Sequence, residues 1–369
     1  MVRSIKHEFK SGSDPQLSLI QVYRGFAALL VVLHHSSDMV QAYFGGTTNL
    51  LLQFFAFGKA GLQFFFVLSG FIIYYIHRGD IGTPAKLLPY AKKRLIRIYP
   101  VYIFVTLLLV PFWLLVPSFG QPYHKSLSAL ILSLLLFPQA HLPHLEVAWT
   151  LIHEVIFYTL FACLIWSVRF GAAVLAAWFA SIALVNLASD TPLSFQATYF
   201  LSINNLLFGM GIGAAYIAAK LRPASGLGIG LFVLGNVGFL AVGLVANGLG
   251  DPTPGQQATL ILALGVTTFL IVGQANNSLL DQAAARRPVL RLLGDASYSI
   301  YLIHDPALSL CSKAIRQTAM SVPPSLAFLL TSLFATLCGV ALHLYIERPT
   351  LKLLRTWLLP RPTTTLAAC

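Results

Sequence analysis

Apolar runs of about 20 residues alternate with short polar segments along almost the whole chain. A helix needs about 20 apolar residues to cross a bilayer, and ten of the runs are long enough. They lie near residues 19–40, 57–77, 98–117, 149–168, 172–189, 196–219, 226–246, 257–274, 292–312 and 325–346. A shorter run, Leu127 to Phe137, falls below that length. The pattern predicts an all-α polytopic membrane protein.

Lysine and arginine residues set the expected orientation of these helices. The segment between the second and third runs contains six of them, at Arg78, Lys86, Lys92, Lys93, Arg94 and Arg97. Short positive segments stay in the cytoplasm, and the later basic segments fall on that side only if residues 127–137 do not cross. If they do cross, the later basic segments move outside. We therefore expect about ten transmembrane helices, both termini in the cytoplasm, and a re-entrant or interfacial segment near 127–137.

Composition agrees with a membrane protein and excludes other classes. Of the 369 residues, 57% are hydrophobic and 10% are charged, whereas soluble domains are about 25% charged. The net charge of +12 comes from the segments between apolar runs, which indicates membrane topology rather than nucleic-acid binding. The cysteines and the histidines His124, His141 and His144 lack the spacing of a metal site. We expect neither a metal nor a nucleic-acid partner.

Three parts are expected along the chain. They are a cytoplasmic N-terminal segment at 1–16, a membrane-embedded domain at 17–350 and a cytoplasmic tail at 351–369. The N-terminal segment is polar and lacks a cleavable signal pattern. No internal repeat is evident, and the remaining length leaves no room for a soluble domain.

Arg24 and His35 are the unusual residues of the first apolar run. An arginine at membrane depth costs at least about 2.5–3.5 kcal/mol, so it needs a partner or a function. At about 100° per residue, His35 returns to within about 20° of Arg24 on the helix, about 16 Å further along. This face combines a fixed cation with a side chain that transfers protons near neutral pH. The alternative is an arginine that reaches the lipid headgroups and a histidine that is satisfied inside the bundle.

Arg94 and Arg97 lie three residues apart in the basic run before the third span, so they can share a helix face. Guanidinium groups bind phosphate oxygens through paired N–H groups. The run is therefore either a phosphate site or a topology signal that also contacts anionic lipid. The sequence does not choose between these two interpretations.

Glu154 shares a helix face with Thr150 and Tyr158 in the fourth apolar run. A buried carboxylate is costly unless it is paired or protonated. Glu154 is therefore either part of a functional site or a structural residue with satisfied partners. His153 points in another direction, and we expect it either to face a loop or to be structural.

Ser297, Tyr301 and His304 in the ninth run are spaced i, i+4 and i+7, which places them on one helix face. Pro306 should kink this helix and free a backbone carbonyl one turn earlier. The face is either a polar seam between helices or part of a catalytic site.

Taken in order, these motifs resemble the acyltransferase-3 family of integral membrane O-acyltransferases over roughly residues 18–350. The resemblance rests on YRGFAALLVVLHH at 23–35, FFFVLSGF at 64–71, RLIRIYP at 94–100, WTLIHEVIFY at 149–158, SYSIYLIH at 297–304 and YIERP at 345–349. Within the family, the sequence is most similar to the branch that O-acetylates exopolysaccharide and lipopolysaccharide.

The resemblance implies a donor, an acceptor and roles for individual residues. The donor would be acetyl-CoA or another acyl-CoA, and the acceptor would be a saccharide or glycolipid hydroxyl at the bacterial cytoplasmic (inner) membrane. His35 would be the general base or a transient acyl carrier, with Glu154 orienting it and His304 assisting. The donor would contact Arg24, Arg94, Arg97 and Arg348. The saccharide would contact Trp149, Tyr301 and Asp305.

A transporter of a lipid-linked glycan or an organic anion is the alternative function. Ten spans with buried ionisable groups fit a transporter as well. Against it, the sequence shows no inverted repeat and no pair of helices interrupted by glycine and proline. Turnover of acyl-CoA by purified protein, without a membrane gradient, would distinguish the two classes.

Overall fold

The computed structural model describes residues 17–46, 49–115, 120–188, 194–220, 225–318 and 322–358. Within these residues the regular structure is helical and contains no strand. The predicted cytoplasmic segment 1–16 lies outside the described residues, as do residues 359–369 of the predicted tail. The helix that contains residue 350 continues to Leu358.

Sixteen α-helices follow one another in the described parts of the chain. Those of the first half are α1 (Ser18–Phe44), α2 (Leu50–Phe55), α3 (Ala60–His77), α4 (Leu87–Leu115), α5 (Leu127–Leu134), α6 (Trp149–Trp166) and α7 (Val168–Ala188). Those of the second half are α8 (Phe195–Phe200), α9 (Leu206–Lys220), α10 (Ser225–Gly248), α11 (Pro254–Val272), α12 (Ser278–Ala285), α13 (Pro288–Asp295), α14 (Ser297–Gln317), α15 (Pro324–Leu342) and α16 (Arg348–Leu358). A π-helical turn, His343–Glu347, joins α15 to α16.

Nine helical stretches in the described ranges are long and apolar enough to cross a membrane. They are Ser18–Phe44, Leu50–His77, Pro84–Leu115, Glu146–Trp166, Val168–Asn186, Phe195–Lys220, Gly226–Gly248, Pro254–Val272 and Pro324–Leu358. They coincide with nine of the ten predicted runs, so the prediction of a polytopic helical protein is confirmed.

The tenth predicted run, 292–312, is divided in the structure. Residues up to Asp295 belong to α13, and α14 starts at Ser297 after a break at Ala296. With 21 residues, α14 is about 32 Å long at 1.5 Å per residue, which is enough to span a bilayer. Because α14 contains buried polar residues such as Ser299 and His304, it is less hydrophobic than the nine apolar stretches and is not one of them.

The segment 127–137 forms a helix of eight residues, α5, followed by a turn. At 1.5 Å per residue this helix is about 12 Å long, too short to cross a bilayer. The end of α5 is joined to the middle of α4, where Tyr102 donates a hydrogen bond to the carbonyl of Ser133 at 2.5 Å. Leu136, with φ of +53°, reverses the chain there. The prediction that this segment does not cross agrees with its length.

The start of α1 and the end of α16 both lie beside basic segments. The backbone N–H of Leu19 donates to Asp281 of α12 at 3.1 Å, five residues before the next basic cluster begins at Arg286. Lys92 of α4 donates to the carbonyl of Leu358 at 3.4 Å. The start of α1 and the end of α16 are therefore both near arginine- and lysine-rich segments, as we expect if they lie on the same side of the membrane. That this side is the cytoplasm stays a prediction.

Close helix contact positions α1, which carries Arg24. A Cβ atom added at Gly25 would lie 2.8 Å from the backbone nitrogen of Gly294 in α13. A Cβ added at Gly294 would lie 1.9 Å from the carbonyl oxygen of Gln21. Because only glycine permits this approach, the two glycines set the distance between α1 and α13 and hence the position of Arg24.

Candidate active site

A cavity of about 140 Å³ lies between α1, α3, α4, α6, α9 and α14, and we call it the arginine cavity. Its apolar walls include Phe65, Phe66 and Phe208. Its polar lining consists of Arg24, Ser69, Arg94, Arg97, Thr150, Glu154, Tyr158, Ser297, Tyr298 and Tyr301. Five of the predicted site residues, on four helices, therefore meet at one cavity: Arg24, Arg94, Arg97, Glu154 and Tyr301.

The three arginines of the cavity have different environments. Arg24 donates to Oε1 of Gln21 at 3.0 Å. The guanidinium of Arg94 lies 5.8 Å from the centre of the Tyr158 ring, and its buried Nε has no hydrogen-bond partner among the described residues. The guanidinium of Arg97 lies 5.0 Å from the Tyr298 ring centre and also forms an ion pair with Glu347. Arg94 therefore keeps more of its hydrogen-bonding capacity for a ligand than Arg97 does.

Glu347 holds Arg97 in the wall of the cavity. Its side chain is completely buried and, besides the ion pair with Arg97, accepts a hydrogen bond from Ser299 Oγ at 2.7 Å. Nδ1 of His343 lies 2.8 Å from Oε2 of Glu347, the oxygen that also accepts from Ser299, whereas Arg97 pairs with Oε1. A buried carboxylate needs such partners on both oxygens. His343 and Glu347 bound the π-helical turn, a feature often found at functional sites.

Glu154 is oriented by two hydroxyl groups in the same cavity. It accepts hydrogen bonds from Ser69 Oγ at 2.7 Å and from the Tyr158 hydroxyl at 2.5 Å. In the described part of the chain its hydrogen-bond partners are these hydroxyls and neither His35 nor His304. The role expected for Glu154, orientation of His35, stays a prediction.

His35 and His304 face each other across the contact of α1 with α14. Their ring centres are 5.1 Å apart at an angle of 44°. Nδ1 of His304 lies 2.7 Å from the carbonyl oxygen of Tyr301. Because a carbonyl only accepts, Nδ1 carries the proton, and Nε2 of neutral His304 presents a lone pair. This Nε2 is buried and has no partner among the described residues, so it is available to a reacting group.

Tyr301 links the histidine pair to the arginine cavity. Its ring centre lies 5.7 Å from that of His304, and the residue itself lines the cavity. Its hydroxyl lies 2.8 Å from Thr150 Oγ1 and 2.9 Å from the carbonyl of Val147. The shared helix face predicted for Ser297, Tyr301 and His304 is present, since all three are buried and the first two line the cavity.

A second cavity, of about 190 Å³, lies beyond the histidine pair, and we call it the loop cavity. It is lined by Leu109, Trp113, Gly120, His124, His144, Leu145, Glu146, Asp305, Pro306, Ser309 and Lys313. Asp305 therefore lines this cavity and not the arginine cavity. Tyr301 and Asp305 are four residues apart on α14, about 6 Å along its axis, and His304 lies between them.

Four of the predicted site residues line neither of these two cavities: His35, His304, Trp149 and Arg348. The Trp149 ring packs edge-on against His153 at 5.6 Å, and Arg348 is exposed at the start of α16. His153 is buried and bonded to Asn205 Oδ1 at 2.9 Å, which fits the structural role, one of the two expectations for it. No group of three potential metal ligands occurs among the described residues.

Ser69, Tyr298 and Glu347 were not predicted as site residues. Ser69 and Tyr298 line the arginine cavity, and Glu347 holds one of its arginines. A weak signal existed for Glu347, an acid at the end of an apolar run four residues after His343. Ser69 lies in the motif FFFVLSGF at 64–71, but nothing in that motif identifies its partner Glu154, which is 85 residues away.

Comparison with known proteins adds a family and a relative. The family model described as "Acyltransferase domain" matches residues 19–344. The chain is 30% identical over 304 residues to the "Exopolysaccharide production protein ExoZ" of Rhizobium meliloti (strain 1021), an alignment that covers 81% of this chain and 91% of that protein. No solved structure matches the chain.

Proposed function

The chain belongs to the acyltransferase-3 family, and from this premise we propose that it is a membrane O-acetyltransferase that uses acetyl-CoA. The acceptor is a hydroxyl group of an exported saccharide, free or as a glycolipid, at the bacterial cytoplasmic membrane. The similarity to a protein of exopolysaccharide production supports a saccharide acceptor. The observation that carries the proposal is a cavity lined by three arginines, with a pair of histidines next to it behind Tyr301.

The arginine cavity is suited to the donor. The thioester and pantetheine arm of acetyl-CoA is mostly uncharged and fits walls such as Phe65, Phe66 and Phe208. Its phosphates are anionic, and guanidinium groups bind phosphate oxygens through paired N–H groups. Arg94 and Arg97 lie at the end of the cavity that is nearer the basic segment of α4, where the phosphates would remain. Arg24 would contact the arm as it enters.

The histidine pair would perform the chemistry. An imidazole nitrogen takes the proton of the acceptor hydroxyl while the oxygen attacks the thioester carbonyl carbon. The carbon–sulfur bond then breaks, and the imidazolium returns the proton to the departing thiolate of CoA. His35 is the proposed base, and His304 Nε2 is oriented to share that role or to hold the acceptor hydroxyl. An acyl-histidine intermediate at His35 is the alternative route to the same products.

The test measures release of free CoA from acetyl-CoA by protein purified in detergent. A de-O-acylated surface-polysaccharide fraction is added, and wild type is compared with His35→Ala. We expect release that requires both the polysaccharide and His35. The matched control is His34→Ala, since His34 lies beside His35 but faces Asp38 at 3.5 Å, and it should retain activity.

Two results would overturn the proposal. One is unchanged CoA release by a folded His35→Ala protein. The other is no release with any acyl-CoA by folded wild type, which would favour the transporter instead. Because the assay contains no membrane gradient, turnover in it is not expected of a gradient-driven transporter.

A further inference from the structure

The loop cavity is built by three elements that also form the arginine cavity. Leu109 and Trp113 come from α4, Asp305 and Ser309 from α14, and Glu146 precedes α6. Along α4 and α14 the chain passes first the arginine cavity and then the loop cavity, whereas along α6 it passes them in the reverse order. The two cavities are therefore stacked along the bundle, with His304 between them on α14.

Hydrogen bonds fix the orientation of His124 in the wall of the loop cavity. The backbone N–H of Gln121 donates to Nδ1 of His124 at 2.7 Å. Nδ1 is thus the acceptor, and the proton of the neutral ring is on Nε2. Burial, reinforced by the neighbouring His144, lowers the pKa of His124 to about 4, so the ring is neutral near pH 7.

His144 is neutral for a related reason and supports His124. Its Nε2 lies 3.2 Å from the carbonyl oxygen of His124, to which it donates, and its Nδ1 lies 3.1 Å from Ser133 Oγ. Gln139 Nε2 and the backbone N–H of His144 donate to the same Ser133 oxygen. The Trp113 ring stacks on His124 with centres 4.7 Å apart at 4°. The ring of His124 is therefore held by the stacked Trp113 ring and by the N–H of Gln121, and its backbone carbonyl is held by His144.

The His124 ring has one N–H group, at Nε2, that finds no acceptor among the described residues. Nε2 is buried and has no hydrogen-bond partner among the described residues, and only 7% of His124 is exposed. An unsatisfied buried N–H costs free energy, so a ligand atom that accepts a hydrogen bond would be stabilised here. Such a donor in a cavity wall indicates a ligand.

The other polar groups of the loop cavity restrict that ligand. Glu146 and Asp305 supply carboxylate oxygens, which only accept hydrogen bonds when ionised. Lys313 lies in the same wall, and its ammonium group only donates. Two carboxylates against one ammonium disfavour an anionic ligand, and a cation would not use the N–H of His124 or of Lys313. A hydroxyl group both donates and accepts. A neutral ligand with several hydroxyl groups can therefore donate to the carboxylates of the wall and accept from the N–H of His124.

We propose that the loop cavity binds the saccharide acceptor, with hydroxyl groups that donate to Asp305 and Glu146 and accept from Nε2 of His124. This assignment rests on the proposed acyl transfer and extends it, since it places donor and acceptor in separate cavities. Asp305 adjoins His304 in the chain, so a sugar held by Asp305 presents a neighbouring hydroxyl towards the histidine pair. The acyl carbonyl reaches the same pair from the arginine cavity.

The first test separates acceptor from donor kinetics. The acceptor probe is an oligosaccharide prepared by depolymerising the cell's own exopolysaccharide and removing its O-acyl groups with alkali. His124→Asn keeps an acceptor near the Nδ1 position but removes Nε2, and Asp305→Asn keeps the shape but removes the charge. Loss of one hydrogen bond should raise KM for the oligosaccharide about 3- to 10-fold in each variant, with KM for acetyl-CoA unchanged.

Matched controls exclude general effects of the loop and of charge. His141→Asn changes a histidine of the same loop that stacks on Tyr123 and is not in the cavity wall. Asp251→Asn removes an exposed carboxylate between α10 and α11. Both controls should keep the wild-type KM for oligosaccharide. Wild-type KM in His124→Asn and Asp305→Asn, or an equal rise in the KM for acetyl-CoA, would overturn the assignment.

A second measurement does not depend on acyl transfer. Saturation-transfer NMR detects the oligosaccharide bound to detergent-solubilised wild-type protein without any donor. We expect a signal that weakens in both cavity variants and persists in both controls. If this result appears while CoA release is absent, the saccharide site stands and the acyl-transfer proposal fails. If CoA release depends on His35 but the signal is equal in all five proteins, the loop cavity is not the acceptor site.

Discussion

Arg94 and Arg97 show how two like residues on one helix face acquire different roles. Both line the arginine cavity, but the charge of Arg97 is balanced by the buried Glu347. Removing one partner of such a buried pair typically costs about 3–5 kcal/mol, so Arg97 stabilises the cavity wall in addition to its proposed contact with the donor. Arg94 has no comparable ion pair among the described residues, and its buried Nε is unsatisfied.

Replacing Arg94 should therefore weaken donor binding more selectively than replacing Arg97. For Arg94→Gln we expect KM for acetyl-CoA to rise about tenfold, because a hydrogen bond to a charged group contributes about 1.5–3 kcal/mol. The measurement is CoA release against acetyl-CoA concentration.

Arg348→Gln is the matched control, since Arg348 is exposed and lines neither cavity. It should keep the wild-type KM. A rise in KM for Arg348→Gln with none for Arg94→Gln would instead favour the sequence-based expectation that Arg348 contacts the donor.

Most polar residues of the arginine cavity could be predicted from the sequence, but their partners could not. A charged residue in an apolar run is conspicuous, and helix periodicity identifies its face, which is how Arg24, Glu154 and Tyr301 were found. Periodicity does not identify the helix that packs against that face. The contacts of Glu154 with Ser69 and of Arg97 with Glu347 join residues 85 and 250 positions apart.

At the scale of elements, the contact of α1 with α13 is a point where packing controls the site. Gly25 follows Arg24 directly, and a Cβ atom added to it would lie 2.8 Å from the backbone nitrogen of Gly294 and 2.9 Å from the backbone carbon of Leu293. Backbone cannot move aside as a flexible side chain can. A larger residue must therefore separate the two helices and displace Arg24.

Gly25→Ala should destabilise the protein by about 1–3 kcal/mol, the usual cost of overpacking, and lower its activity. Thermal unfolding in detergent and CoA release measure the two effects. Gly230→Ala is the control, because a Cβ there meets no atom within 4 Å. It should leave both quantities unchanged or raise stability slightly. An equal loss in both variants would show that the effect is not due to the α1–α13 contact.

The loop between α4 and α6 should make stability depend on pH. An unfolded histidine titrates near pH 6.5, whereas the pKa of buried His124 is lowered to about 4, and burial lowers that of His144 too. The unfolded chain therefore binds protons first as the pH falls. Stability from these groups is complete above about pH 6.5 and is lost progressively towards pH 4.

The check compares unfolding temperatures of wild type and His124→Asn between pH 7.5 and pH 4. The loss on acidification should be smaller in the variant, since one titrating group has been removed. Identical curves for the two proteins would contradict the assignment of this pH dependence to His124.

Several elements could be predicted from the apolar runs, and the exceptions have physical reasons. The run at 292–312 was placed by composition, but the chain breaks at Ala296 so that Gly294 can touch α1. The short helix α2 continues into α3 through a single 3₁₀ turn, and α8 is joined to α9 by two non-helical residues and a 3₁₀ turn; these breaks leave no mark in hydropathy. The loop cavity was not predicted, because its histidines indicate a site only through the orientation given by Gln121 and Trp113.

At the scale of the whole molecule, the expectation that stays a prediction is the orientation of the protein in the membrane. With ten crossings, both termini share one side, and the α10–α11 turn lies on the other. Phe57, which precedes α3, contacts Gly243 near the end of α10, so that turn lies on the same side as the α1–α2 connection.

Cysteine labelling in cells should show this orientation. With Cys163, Cys311 and Cys338 replaced by alanine, Cys369 should react with a membrane-impermeant maleimide only after permeabilisation. In a protein with Cys369 also replaced, Asp251→Cys should react in intact cells. The reverse pattern would place the termini outside and would invert the proposed donor and acceptor sides.

The stacking of two cavities about one histidine pair has an electrical consequence. Where water fills both, the membrane potential falls mainly across the few ångströms between them rather than across about 30 Å of hydrocarbon. One elementary charge crossing the whole potential changes in free energy by about 2.3 kcal/mol per 100 mV. A proton that moves onto an imidazole between the two cavities crosses a large part of that field, so an energised membrane would bias the proposed deprotonation of the acceptor hydroxyl.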